Sequence, residues 1–166
     1  ESAVQASMTG HLVLSTLHTN DAPSAITRLM DLGIPYYMIQ TTVIGILAQR
    51  LVREICQYCK EPLDMDASEL RTLGLEIGHD GTVHLFYGKG CQKCRGTGYK
   101  GRIGIFELMP FTESLKSITT SEVDVMKLRT AAVKDGMVTL RQNAIKKMLE
   151  GTTTYQEVLK ITWDQF

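Results

Sequence analysis

All four cysteines of this chain fall in two pairs of the same form, Cys56-x2-Cys59 and Cys91-x2-Cys94, separated by residues 60–90. Each CxxC spacing folds into a tight turn that aims two thiolates at one point. Two such turns together supply four soft ligands for a tetrahedral Zn²⁺ with no open coordination position. A chain built this way must bring both turns to one place, so the segment around them forms a small module of its own. Two redox-active pairs, or disulfides, are the alternatives. A reducing compartment and the lack of a thioredoxin-like pattern disfavour both. The metal is therefore expected to be structural. In small zinc peptides its apparent contribution is roughly 10–16 kcal/mol, so the module should depend on it.

The residues between the pairs carry folding signals. Asp66 and Glu69 have the spacing of a capping box ahead of Leu70, Leu73 and Leu75, and residues 82–87 favour a strand. His79 and His84 lie in the same stretch, but four thiolates complete the site and no metal role is assigned to either.

Upstream, HLVLSTLH at residues 11–18 reads as a parallel strand buried on both faces. Asp21 and Ala22-Pro23 start a helix that Gly33 stops, and Pro35 opens a second. That second helix is expected to run to Val52, with Ile39, Val43, Ile46, Leu47 and Leu51 at helical spacing. Downstream, residues 102–108 read as a strand ended by Pro110. Three helices follow: Ser121 with Asp124, Thr139 with Gln142, and Thr154 with Glu157 mark their starts, and Gly136 and Gly151 end the first two. The expected class is α/β, with residues 1–54 in a sheet domain, 55–100 in a four-cysteine zinc-binding module, and 101–166 in a strand plus a C-terminal helical subdomain.

A hydrophobic share of 43% and 22% charged residues is a globular balance, and Lys plus Arg equals Asp plus Glu at 18 each. No overall basic surplus invites nucleic acid. The nearly apolar stretch 38–48 is too short to span a bilayer of about 30 Å. No basic-then-apolar leader opens the sequence, so a cytoplasmic setting is expected. The chain begins at Glu1 inside what reads as a helix, which suggests a piece of a longer protein.

His18 stands at the end of the expected strand, followed by Thr19, Asn20 and Asp21, at the edge where open α/β sheets bind ligands. Ser15, Thr16, His18, Thr19 and Asn20 can offer donors to phosphate oxygens there. On residue types alone, a capping cluster around a hydrogen-bonded surface histidine is the favoured alternative. The segment TGHLVLSTLHTN at 9–20, however, closely resembles the histidine box of the type II secretion and type IV pilus ATPases. The resemblance continues in order through SAITRL at 24–29, LAQRLVR at 47–53, the paired CxxC insert, GYKGRIGIFE at 98–107, and the tail from Thr139-Leu140 to the GTTT at 151–154. The tetracysteine insert resembles the assembly branch, the secretion and pilus-extension motors, because retraction motors lack it.

The resemblance implies the C-terminal part of a RecA-like P-loop ATPase domain carrying an inserted zinc-ribbon-like module and a C-terminal helical bundle. It implies a homo-hexameric, Mg²⁺-dependent ATP hydrolase in the full-length parent. That motor would be cytoplasmic and peripheral to the inner membrane, acting on an inner-membrane platform protein and other secretion or pilus components. His18 matches the histidine that senses the terminal phosphate, and His11 is the other histidine of the box. Glu1 matches the glutamate just after the Walker B segment. Thr19 and Arg50 are the remaining candidates near nucleotide. Gln49, Arg50 and Arg53 fit a solvated element end as well, and Arg102 fits an ordinary strand-edge charge.

One departure is large: no GxxxxGK[ST] occurs in the 166 residues, so the main cradle for the phosphates and Mg²⁺ is missing, and this chain is expected not to hydrolyse ATP alone. The competing hypothesis is a stand-alone zinc-ribbon module for protein interaction or nucleic-acid binding, using Lys89, Lys93, Arg95, Tyr99, Lys100 and Arg102.

Overall fold

The computed structural model describes residues 2–163; Glu1, matched above to a residue beside Walker B, lies outside them. The chain is mixed α/β and divides into two compact units. The first comprises residues 1–48 and 107–139, the second residues 49–106 and 140–166. Among the described residues no helix is long and apolar enough to cross a membrane.

In the first unit, helix α1 (Ser2–Met8) is followed by α2 (Ala22–Asp31), whose start is fixed as the sequence implies: the Asp21 carboxylate accepts the Ser24 N–H at 2.9 Å, and Pro23 sits in the first turn. Gly33 takes the positive φ of +86° that ends the helix. Helix α3 (Tyr36–Thr42) opens after Pro35 but stops after seven residues. Where the sequence suggests that this helix continues, the chain becomes strand β1 (Gly45–Ile55). The run Thr41-Thr42-Val43-Ile44 is β-branched and is followed by Gly45, which disfavours helix on both counts. Burial alternates along the strand, with Ile46, Ala48, Arg50 and Val52 more covered than Leu47, Gln49, Leu51 and Arg53.

Residues 11–19 also depart from expectation. They form no regular element, and Leu12 and Leu14 are 75% and 89% exposed. A buried parallel strand needs a neighbouring edge and covered faces. The sheets among the described residues pair β1 with Tyr99–Pro110 and Lys60–Asp66 with Thr82–Gly88, and neither includes this segment.

The first unit closes around Ala22, Ile26, Ile34, Ile39, Met109, Phe111, Leu115, Leu128, Ala132 and Met137. Its later elements are the end of β4 (Tyr99–Pro110), α5 (Glu113–Ile118) and α6 (Val125–Lys134). Helix α5 was not foreseen; Thr112 caps it by accepting the Leu115 N–H. Asp124 is itself the cap of α6, accepting from Met126 and Lys127, so that helix starts later than a Ser121 cap implies. Strand β4 reverses the usual polarity: Ile105, Glu107 and Met109 point inward while Phe106 and Leu108 are exposed. The buried Glu107 is held by the Ala22 N–H at 2.8 Å, an unpaired donor of the first turn of α2. Asp21 is also buried and is ion-paired with Arg129.

In the second unit, β2 (Lys60–Asp66) pairs antiparallel with β3 (Thr82–Gly88), in register from Lys60 opposite Gly88 to Asp66 opposite Thr82. Helix α4 (Ala67–Thr72) crosses between them. Asp66 caps it through the Ser68 N–H at 2.8 Å, one position before the donor a capping box uses. Asp66→Ala is expected to cost about 1 kcal/mol, checked by urea unfolding of the metal-loaded protein. Helices α7 (Leu140–Leu149) and α8 (Tyr155–Trp163) pack on each other, with α7 also against β3.

Candidate metal centre

Four strand ends meet at the cysteines. β1 stops at Ile55, the residue before Cys56, and β2 starts at Lys60, the residue after Cys59. β3 stops at Gly88 just ahead of Cys91, and β4 begins at Tyr99 after the second turn. Pairing β2 with β3 so that Lys60 faces Gly88 therefore carries one CxxC to the other. The Cys56 N–H to Gly98 carbonyl bond, at 2.9 Å, closes the other side.

Both CxxC segments are tight turns, with Cys59 N–H bonded to the Cys56 carbonyl at 3.2 Å and Cys94 N–H to that of Cys91 at 3.3 Å. The second turn is a 3₁₀ turn that leaves through Arg95 in the left-handed region. Gly98 follows at φ +77°, and its backbone lies so close to Gly88 that a Cβ on either residue would collide with the other's carbonyl group. Gly98 is thus required by backbone approach, whereas Gly96 has open space where a Cβ would stand and is favoured by its φ of +76°.

All four Sγ atoms lie within 4.8 Å of one another. Cys56 to Cys91 is 3.9 Å, Cys59 to Cys94 is 3.8 Å and Cys91 to Cys94 is 3.7 Å. These separations are far beyond a disulfide bond of about 2.05 Å. A tetrahedron with metal–sulfur bonds of about 2.3 Å has edges of about 3.8 Å, so the donor set fits a tetrathiolate metal.

Peptide N–H groups aim at the sulfurs: Gly90 at Cys59 (3.3 Å), Cys91 at Cys94 (3.2 Å) and Gly98 at Cys94 (3.2 Å). Burial works against the Cys94 thiolate, yet the Cys91 and Gly98 donors outweigh it and bring the thiol down to about 6. Burial pushes the neighbouring Cys59 thiol up, against the Gly90 N–H, which favours its thiolate. The nearby histidines stay outside the group: His84 is exposed on β3 and its Nδ1 lies 2.7 Å from Asp64, while His79 is exposed with its Nδ1 at the Asp80 carbonyl.

The histidine segment gathers less. His11 Nδ1 lies 3.1 Å from Thr9 Oγ1 and 3.2 Å from the Ala6 carbonyl, at the end of α1. His18 is exposed, and Thr19 donates to the Asp21 carbonyl at 3.1 Å. Arg50 belongs to the second unit. The local geometry of residues 18–24 is that of a helix cap.

Sequence reasoning missed a clamp in the second unit. Arg53 at the end of β1 donates to Glu157 of α8 from Nε (3.0 Å), Nη2 (2.8 Å) and its backbone N–H (2.9 Å). Its guanidinium lies 3.9 Å from the Tyr99 ring centre, and the Tyr99 hydroxyl is 2.8 Å from Thr154 Oγ1. Thr153 donates to the Arg53 carbonyl and Ile55 N–H to that of Thr152. Thr154 also caps α8 through the Glu157 N–H, as its spacing implies. A Glu three residues after a capping Thr hides its partner, because the capping box accounts for it locally.

Residues 1–160 match the family described as "Type II/IV secretion system protein". The chain is 46% identical to the type IV pilus assembly ATPase TfpB of Acinetobacter baylyi, over 96% of this chain and 27% of that protein. It is 44% identical to the type II secretion system protein E of Pseudomonas aeruginosa, over 99% of this chain and 32% of that protein. It is 42% identical to the type IV pilus assembly ATPase PilB of Thermus thermophilus, over 96% and 18% respectively. The chain thus spans about a third or less of the length of these relatives, and it belongs to the type II/IV secretion system protein family.

Proposed function

We propose that this chain is the C-terminal portion of a hexameric, RecA-like motor ATPase that powers assembly of pilin-like fibres, in type II secretion or type IV pili. The carrying observation is the likeness of nearly the whole chain to relatives named for those two systems. The metal is read as Zn²⁺, since four thiolates at tetrahedral spacing leave no open position for chemistry. When bound, it supplies only rigidity to the two turns.

In this reading the 166 residues contribute no phosphate cradle, because no GxxxxGK[ST] occurs in them, and ATP and Mg²⁺ are held by the remainder of the longer protein. His18, with His11 and Thr19, is the group that meets the terminal phosphate once that remainder covers residues 11–19; Arg50 is a further nucleotide-side candidate. The motor works in the cytoplasm at the inner membrane and pushes on a platform protein there. The test is ATP turnover by the full-length protein. His18→Ala is expected to lower turnover by roughly two orders of magnitude, the scale of a lost electrostatic contact to the reacting group, with zinc content unchanged. Turnover equal to the wild type would remove His18 from the site.

A further inference from the structure

The chain is neutral overall, and many of its cations are paired: Arg53, Arg71, Lys89, Lys116, Arg129, Lys147 and Lys160 all have acidic partners. The outer side of the metal module differs. Residues 88–106 contain no Asp or Glu, and Lys93, Arg95 and Lys100 are exposed and have no acidic partner among the described residues. Arg102 is left out of the group because the Glu54 carboxylate lies against the neighbouring Gly101.

Two of these cations converge. Lys100 Nζ is 4.9 Å and Lys93 Nζ 6.0 Å from the ring centre of Tyr58, which is 67% exposed. Tyr58 stands inside the first CxxC turn, Lys93 inside the second, and Arg95 leaves the second in a left-handed conformation. All three sites are therefore fixed by the backbone that holds the four sulfurs. Dangling lysines on a mobile loop would disperse; here two ammonium groups are held over one aromatic floor. The dianionic tetrathiolate centre that Zn²⁺ would form offsets part of this charge.

The geometry points to a docking site for an acidic polypeptide segment, with a carboxylate bridging Lys93 and Lys100, its chain lying on the Tyr58 ring, and Arg95 engaging a second acidic side chain. A protein segment fits better than a bilayer, because between Cys56 and Ile105 the large apolar side chains exposed are Tyr58 and Leu73, and no apolar crest accompanies the charge. It fits better than nucleic acid, because one ring offers no run of stacking platforms. The site does not depend on the motor reading and would serve any protein that displays this module.

The test is fluorescence anisotropy of a labelled poly-glutamate peptide at low salt, titrated with the zinc-loaded full-length protein. Vesicles containing phosphatidylglycerol and duplex DNA are compared in parallel. The wild type is expected to bind the peptide in a salt-sensitive way, Lys93→Glu with Lys100→Glu to weaken it roughly tenfold or more, and Lys93→Arg with Lys100→Arg to retain it. If the reversal costs zinc, the Lys93→Gln, Lys100→Gln pair and Tyr58→Ser decide by the same criterion. Absence of peptide binding, equal binding by the neutralised protein, or tighter binding to vesicles or DNA overturns the proposal.

Discussion

Replacing Cys91 and Cys94 together by Ser is expected to release the metal and to loosen the junction that the two CxxC turns organise. Those turns are where β1, β2, β3 and β4 end or begin, so what fails is the junction of the second unit's strands, and not one loop. The intact chain holds four sulfurs within 4.8 Å of one another, with peptide donors that favour the Cys94 thiolate, and the double variant leaves only Cys56 and Cys59 of that set. The magnitude is bounded above by the roughly 10–16 kcal/mol of isolated zinc peptides. A few kcal/mol of global stability is the expected loss here, because Leu70, Leu75, Val83, Leu85 and Met148 are buried in the same unit apart from the cysteines. Metal analysis and thermal unfolding with and without a chelator check it. A variant with no zinc and unchanged unfolding would contradict a structural role for the metal. In the motor reading the same variant also fails to assemble fibres.

Glu157→Ala is the second large effect. The Glu157 side chain is 6% exposed while that of Arg53 is 44% exposed, so the pair is half-buried and its strength is screened on one side. Burial alone would push the carboxyl up, but hydrogen bonds from Arg53 and Lys160 overcome this and lower it to about 2. A carboxylate held that low stabilises the folded state above its unfolded value of about 4.3, and the contribution disappears as pH falls toward 2. The unscreened shift corresponds to about 3 kcal/mol, and with Arg53 half in water about 2 kcal/mol is expected. Unfolding midpoints should therefore fall between pH 5 and 2 in the wild type, roughly as the carboxyl titrates. Glu157→Gln should flatten that part of the profile, and an equally steep profile in the variant would show that other carboxylates carry it.

The four-cysteine module was the most legible part of the sequence. Four cysteines in two CxxC pairs admit few geometries, and the Asp66 cap and the 82–88 strand are written in local residue chemistry. Strand β2 was hidden because Pro62 breaks its β-propensity and its pairing with β3 is not a local property. Ile46, Leu47 and Leu51 fit a helical period as well as a two-residue one, and β-branching at Thr42, Val43 and Ile44 decided between them. The strand at 102–108 was readable but its register was not: Phe106 and Leu108 are exposed, and Glu107 is buried where it meets the first turn of α2. The gathering of the four thiols was therefore readable from spacing. The clamp of Arg53, Tyr99 and Glu157 was not, because its members are joined only by tertiary packing.

The most direct measurement is deletion of the gene for the full-length protein in its own organism, scored for secreted proteins and surface pili, with re-expression of the intact protein. Loss of one of these outputs, restored by the wild type together with measurable ATP turnover, is the predicted result. Full secretion and piliation in the deletion strain, or restoration by a full-length protein that turns over no ATP, would contradict an assembly motor.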